Sequence, residues 1–128
     1  MIDNKSDFKF ETKLHDNYIL AESSGTETAE NMAYLYEEII KKFIEWNCNR
    51  VLYIEGFTNQ ISLQDMFIVW RKIFRIVEEK EISGKIAVFD KNRDDHTINM
   101  ISESLAAARG INARVFNDID EAVAWLRM

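Results

Sequence analysis

The chain has 128 residues, 47% of them apolar and 30% charged, which suits one soluble domain spanning residues 1–128. A net charge of -6 argues against a binder of nucleic-acid backbones, which needs a basic face. A single cysteine, Cys48, rules out an internal disulfide, and no apolar run approaches the ~18 residues of a membrane span. Residues 1–7 lack the basic start and apolar core of a signal peptide, so a cytoplasmic location is expected.

Residues 8–14 alternate apolar and polar, the period of a half-exposed strand. His15-Asp16-Asn17 supplies turn residues, with His15 exposed, and Tyr18-Ile19-Leu20-Ala21-Glu22 follows as a second strand. The pair predicts a β-hairpin toward one side of a sheet. Ser23-Ser24-Gly25-Thr26 then breaks the strand. A helix is expected from Thr26 or Glu27 to about Trp46 or Asn47, with Ser24 and Glu27 at capping-box spacing. Met32, Leu35, Tyr36, Ile39, Ile40, Phe43 and Ile44 recur at steps of three and four as its apolar stripe. Cys48, with no base or second cysteine near it in sequence, reads as a small packed residue.

Arg50-Val51-Leu52-Tyr53-Ile54-Glu55-Gly56 is a continuous apolar run between turn residues and reads as a strand buried on both faces. Its C-terminal end delivers Glu55 to the edge where open α/β sheets hold ligands. A second helix runs from Ser62 to about Lys80, with Ser62 and Asp65 as a cap pair. Leu63, Met66, Phe67, Trp70, Ile73, Phe74 and Val77 form its core stripe. Val69 and Ile76 widen the apolar arc to about half the circumference, beyond the ~100° a surface helix needs. Something besides the sheet is expected to cover that flank.

Ser83-Gly84 turns the chain into Lys85-Ile86-Ala87-Val88-Phe89-Asp90, a second buried strand ending in a carboxylate. Asp94 or Asp95 caps a third helix with Ile98, Ile101, Leu105 and Ala108 facing inward, and Gly110 ends it. Ala113-Arg114-Val115-Phe116 is a last short strand. Asp118 with Glu121 opens a final helix carrying Ala122, Val123, Trp125 and Leu126. The order β-β-α-β-α-β-α-β-α predicts an α/β fold. Its mixed sheet has four to five strands, an antiparallel N-terminal hairpin and a parallel remainder, and is flanked by helices.

Residues 110–118, Gly-Ile-Asn-Ala-Arg-Val-Phe-Asn-Asp, followed by Glu121-Ala122-Val123-Ala124-Trp125-Leu126, resemble the C-terminal unit of the SpoIIAA-like family of STAS/SEC14-type small proteins. The element order over residues 8–128 is similar too. The resemblance implies a small regulatory or ligand-binding module rather than an enzyme, and its SEC14 side implies a small apolar or lipid-like ligand. Related anti-sigma-factor antagonists carry a phosphorylatable serine in an Asp-Ser-Ser-Gly loop. This chain has Ile61-Ser62-Leu63-Gln64 there, so the motif is absent.

Candidate chemistry lies in four places. Glu55, Asp90 and Asp118 form an acidic rim at the C-terminal ends of parallel strands, near Asp94, Asp95 and His96. Such carboxylates hold hard cations in other proteins, or cap helices. The Asp-x-Asp of haloacid-type phosphatases is missing, since Lys91-Asn92 follows Asp90, and no metal or other cofactor is expected. Ser62 is either a phosphorylation site or an ordinary helix cap. His96 is the histidine placed at a position suited to a general base. The broad arc of Met66, Val69, Trp70, Ile73 and Ile76 is the leading candidate, as core, as a surface for a protein partner or homodimer, or as an apolar ligand pocket.

Overall fold

The computed structural model describes residues 7–90 and 97–128. The elements run β1 (Lys9–His15), β2 (Tyr18–Gly25), α1 (Ala29–Glu45), β3 (Arg50–Phe57), α2 (Leu63–Glu79), β4 (Lys85–Asp90), α3 (Thr97–Ala108), β5 (Asn112–Phe116) and α4 (Ile119–Leu126). The strands form one five-stranded sheet in the order β1-β2-β3-β4-β5. β1 pairs with β2 antiparallel, and the other three pairings are parallel. The mixed α/β sheet expected from the element order is the one observed, with the hairpin at an edge and β3 at the centre.

Right-handed crossovers between neighbouring strands all turn to the same side of a sheet. α1, α2 and α3 accordingly bury one face, where Leu35, Ile39, Met66, Trp70 and Ala106 pack on Ile19, Val51, Tyr53 and Val88. α4 covers the other face, with Ala122 and Leu126 on Leu52, Ala87 and Phe116. Alternate β3 residues thus enter different cores, which is why that strand is apolar throughout.

Local details depart from the sequence reading. β2 continues past Glu22 because Ser23, Ser24 and Gly25 pair with Glu55, Gly56 and Phe57. The Ser24–Glu27 capping box therefore does not form. α1 begins at Ala29, and Thr28 is its N-cap, with its side chain accepting the Asn31 N–H. Gly25 closes β2 at a φ of 96°, and a Cβ there would collide with the Asp7 carbonyl. Ile44 is 57% exposed; at ~100° per residue it lies about 120° round the helix from Met32, outside the buried stripe.

On α2 the buried set is Met66, Val69, Trp70, Ile73 and Phe74. Phe67 falls outside that arc and Leu63 sits at the helix start, so both are exposed. On α3 the buried alanine is Ala106, while Ala108 faces solvent. Three expected stops and starts are present. Ser62 Oγ accepts the Asp65 N–H at 3.1 Å, Asp118 Oδ1 accepts from Asp120 and Glu121, and Gly110 has a φ of 77° just after α3.

Candidate functional site

Beneath α1, α2 and α3, against β4 and β5, lies a cavity of about 120 Å³. Tyr36 and Phe43 of α1, Trp70 and Ile73 of α2, and Val88 and Val115 of the sheet supply apolar walls. Protein interiors rarely leave voids larger than a water molecule. This one persists because the residues closing over it include Ala106 and Ala113, which have too little side chain to fill it. Among the described residues α3 is also the shortest of the three covering helices, 12 residues against 17 for α1 and α2.

The α3 wall is chemically different. Asn99, Ser102 and Glu103 line the cavity with Ala106, at i, i+3, i+4 and i+7 along one helix face. Glu103 Oε2 accepts the Val115 N–H at 3.1 Å, which satisfies an outward-pointing donor of the edge strand β5.

A polar row crosses the same sheet face at the C-terminal ends of the strands. Ser23, Glu55 and Asp90 are register partners on β2, β3 and β4, so their side chains stand abreast. Glu55 is 1% and Asp90 6% exposed. Ser23 Oγ and Tyr53 Oη are 2.7 Å apart, and Asn99 Nδ2 donates to Asp90 Oδ2 at 3.3 Å. Burial pushes the Tyr53 phenol well above its ordinary pKa, and the nearby Glu55, Tyr36 and Glu27 add to the rise; the Ser23 hydrogen bond opposes it. Tyr36 and Tyr53 meet edge to face at 6.1 Å. Tyr36 and Asn99 therefore join the polar row to the cavity.

Glu27, also buried, extends the network. Its Oε1 accepts the Ile61 N–H at 2.9 Å. Its backbone N–H donates to Asn59 Oδ1 at 2.6 Å, and its carbonyl accepts from Asn59 Nδ2 at 2.9 Å. These bonds tie the loop entering α1 to the loop entering α2. The Ile61 N–H also gives the buried Glu27 carboxylate a hydrogen-bond donor.

The fold has a solved counterpart. The chain is similar to the NMR structure of the protein TM1081, at a TM-score of 0.56 and 14% identity, over 93% of this chain and 89% of that one. At that identity the likeness carries the fold alone. No protein-family model and no curated protein matches the chain.

The structure separates the residues singled out by sequence. Trp70 and Ile73 line the cavity. Met66 and Val69 are buried in the core, and Ile76 is half-buried against it. None of the first four forms an outward surface for a partner, because α1 packs along α2 and α3 closes its other side. That cover is what the wide apolar arc required. Glu55 and Asp90 come together, but Asp118 caps α4 on the opposite face and is exposed. The three-member acidic rim is thus a buried pair. Ser62 serves as the α2 cap. Asp94, Asp95 and His96 lie outside the described residues.

His15 is exposed in its turn, and Cys48 is half-buried with its thiol 3.6 Å from the Asn17 carbonyl. Among the described residues no three histidine, cysteine or acidic side chains converge to hold a metal ion. Nor is any helix among them long and apolar enough to cross a membrane. The α3 face of Asn99, Ser102, Glu103 and Ala106 went unread in the sequence. Its polar members have the same spacing as an ordinary solvated helix face, so periodicity alone does not distinguish the two.

Proposed function

We propose that this protein is a binding module that holds a small apolar molecule in the cavity beneath its three-helix face. The cavity itself carries the reading. About 120 Å³ of apolar-lined space at Trp70, Ile73 and Val88 forgoes dispersion contacts that an occupant restores. An engineered apolar cavity of roughly 150 Å³ takes up benzene, so a single ring is of a size that this space accommodates. The resemblance of residues 110–126 to SpoIIAA-like proteins, on their SEC14 side, supports the same direction.

Native mass spectrometry of the protein as isolated, followed by heteronuclear NMR with toluene, tests the reading. Toluene is expected to shift the methyl signals of Ile73, Val88, Ala106 and Val115 together and to raise the melting temperature with its concentration. Saturating toluene that leaves both unchanged would refute it.

A second reading, self-association, is favoured by Leu63, Phe67 and Ile68, which are exposed on the first turns of α2. Contiguous exposed apolar residues of this kind mark contact surfaces. Analytical ultracentrifugation of the wild type and Ile68→Lys decides it. A dimer abolished by the substitution supports the reading, and a monomeric wild type removes it.

A further inference from the structure

The wall that α3 turns to the cavity offers hydrogen-bond acceptors. Asn99 Nδ2 donates to Asp90 Oδ2. A carboxylate accepts and does not donate, so this contact fixes which way the amide points. Asn99 Oδ1 is then the group left over, and it has no partner among the described residues. One turn on, Glu103 spends Oε2 on the Val115 N–H, and its carboxylate has no cationic partner among the described residues. Behind the amide stand Asp90 and, beside it, Glu55.

Among the described residues, the cations at the lining, Lys85 and Arg114, are engaged elsewhere. Lys85 Nζ is held by the carbonyls of Trp125 and Met128 at 3.2 Å each. The Arg114 guanidinium lies over the Phe116 ring, 5.3 Å from its centre, on the α4 side of the sheet. The chamber is therefore apolar on the α1, α2 and sheet walls, and carries the Asn99 Oδ1 acceptor and the Glu103 carboxylate on the fourth.

We infer that the cavity selects small apolar amines, with a single-ring or branched hydrocarbon body against Trp70 and Ile73 and a protonated amine directed at Asn99 Oδ1 and the Glu103 carboxylate. This rests on the cavity reading above and narrows it. A carboxylic acid of the same size meets acceptors and like charge, so carboxylates are poor ligands here. Hydrogen bonds between ionised partners are about twice as strong as neutral ones, and leaving a buried charge facing acceptors is costly.

Toluene, benzylamine and benzoate, titrated at neutral pH by NMR or calorimetry, share one ring and differ in the head group. Benzylamine is expected to bind about tenfold or more tightly than benzoate. Glu103→Gln keeps an acceptor for the Val115 N–H and removes the charge. It is expected to weaken benzylamine about tenfold while leaving toluene within about twofold. Benzoate binding as tightly as benzylamine, or a Gln variant that treats all three as the wild type does, overturns the inference and leaves the cavity reading standing. If none of the three binds the wild type, the cavity reading fails and this inference fails with it.

Discussion

Filling the cavity from α3 tests the packing argument and the binding argument together. Ala106 is 5% exposed and lines the cavity. Ala106→Leu adds three carbons, whose transfer from water is worth about 0.8 kcal/mol each, and loses about 0.5–1 kcal/mol of rotamer freedom. The net expectation is a gain of about 1.5–2 kcal/mol, or roughly 5–8 °C in melting temperature for a domain of this length. Urea unfolding should show a higher midpoint with an unchanged slope, and toluene should no longer shift the cavity methyls. A loss of about 1–3 kcal/mol, the usual cost of overpacking, with toluene still bound would refute the reasoning. It would mean that the space beside Ala106 is not the space a ligand enters.

Three further outcomes follow from the polar contacts. Glu27→Ala strips the Ile61 N–H of its buried acceptor and should cost about 1–3 kcal/mol in urea unfolding, whereas Glu27→Gln, which keeps an acceptor, should cost less. Tyr53 is held neutral well above its ordinary pKa, chiefly by burial. An unfolded tyrosine ionises at about 10, so above that pH the unfolded chain binds fewer protons than the folded one and stability falls as pH rises. Tyr53→Phe should remove that slope from urea midpoints measured between about pH 9 and 11, and a slope that persists unchanged would assign it to another group. Ser62→Ala should cost about 1 kcal/mol through the lost cap, and Ser62→Asp should restore it; a melt insensitive to both would show that the cap carries no stability.

Where the sequence reading succeeded, period and punctuation agreed. The apolar run of β3, the Ser62 start of α2, the Gly110 stop and the Asp118 start each rest on a local rule that nothing in the tertiary structure contradicts. It failed where pairing overrode propensity. Ser23-Ser24-Gly25 has weak strand preference, yet it continues β2 because β3 offers it a full ladder. The start of α1 moved with it, and Glu27, expected to cap a helix, became a buried link between two loops. α2 misled for a different reason. Apolar residues at 63, 66, 67, 69, 70, 73, 74, 76 and 77 allow more than one buried arc, and only the position of α1 and α3 selects among them.

The candidate site was partly legible. Glu55 and Asp90 could be placed at strand ends, and the register of β3 and β4 makes them neighbours. A cavity, by contrast, is a shortage of side-chain volume, and hydrophobic periodicity reports which way a residue points, not how far it reaches.

The unequal dressing of the sheet accounts for where that shortage falls. Three helices share one face, and α1 and α2 are long enough to shield β2 and β3. The far end of that face, over β4 and β5, is left to α3, the shorter helix, whose inward residues are small or polar. On the opposite face one short helix is enough, because Lys9, Glu11, Lys13 and Glu22 of the hairpin are exposed there and water covers them. Covering β4 and β5 as fully as β2 and β3 would need bulk from α3 at Ser102 and Ala106, where the chain has a hydroxyl and a methyl. The helix face that leaves the core incomplete at Ser102 and Ala106 also gives the cavity its acceptors at Asn99 and Glu103, so the under-packing and the chemistry of the site trace to a single helix face.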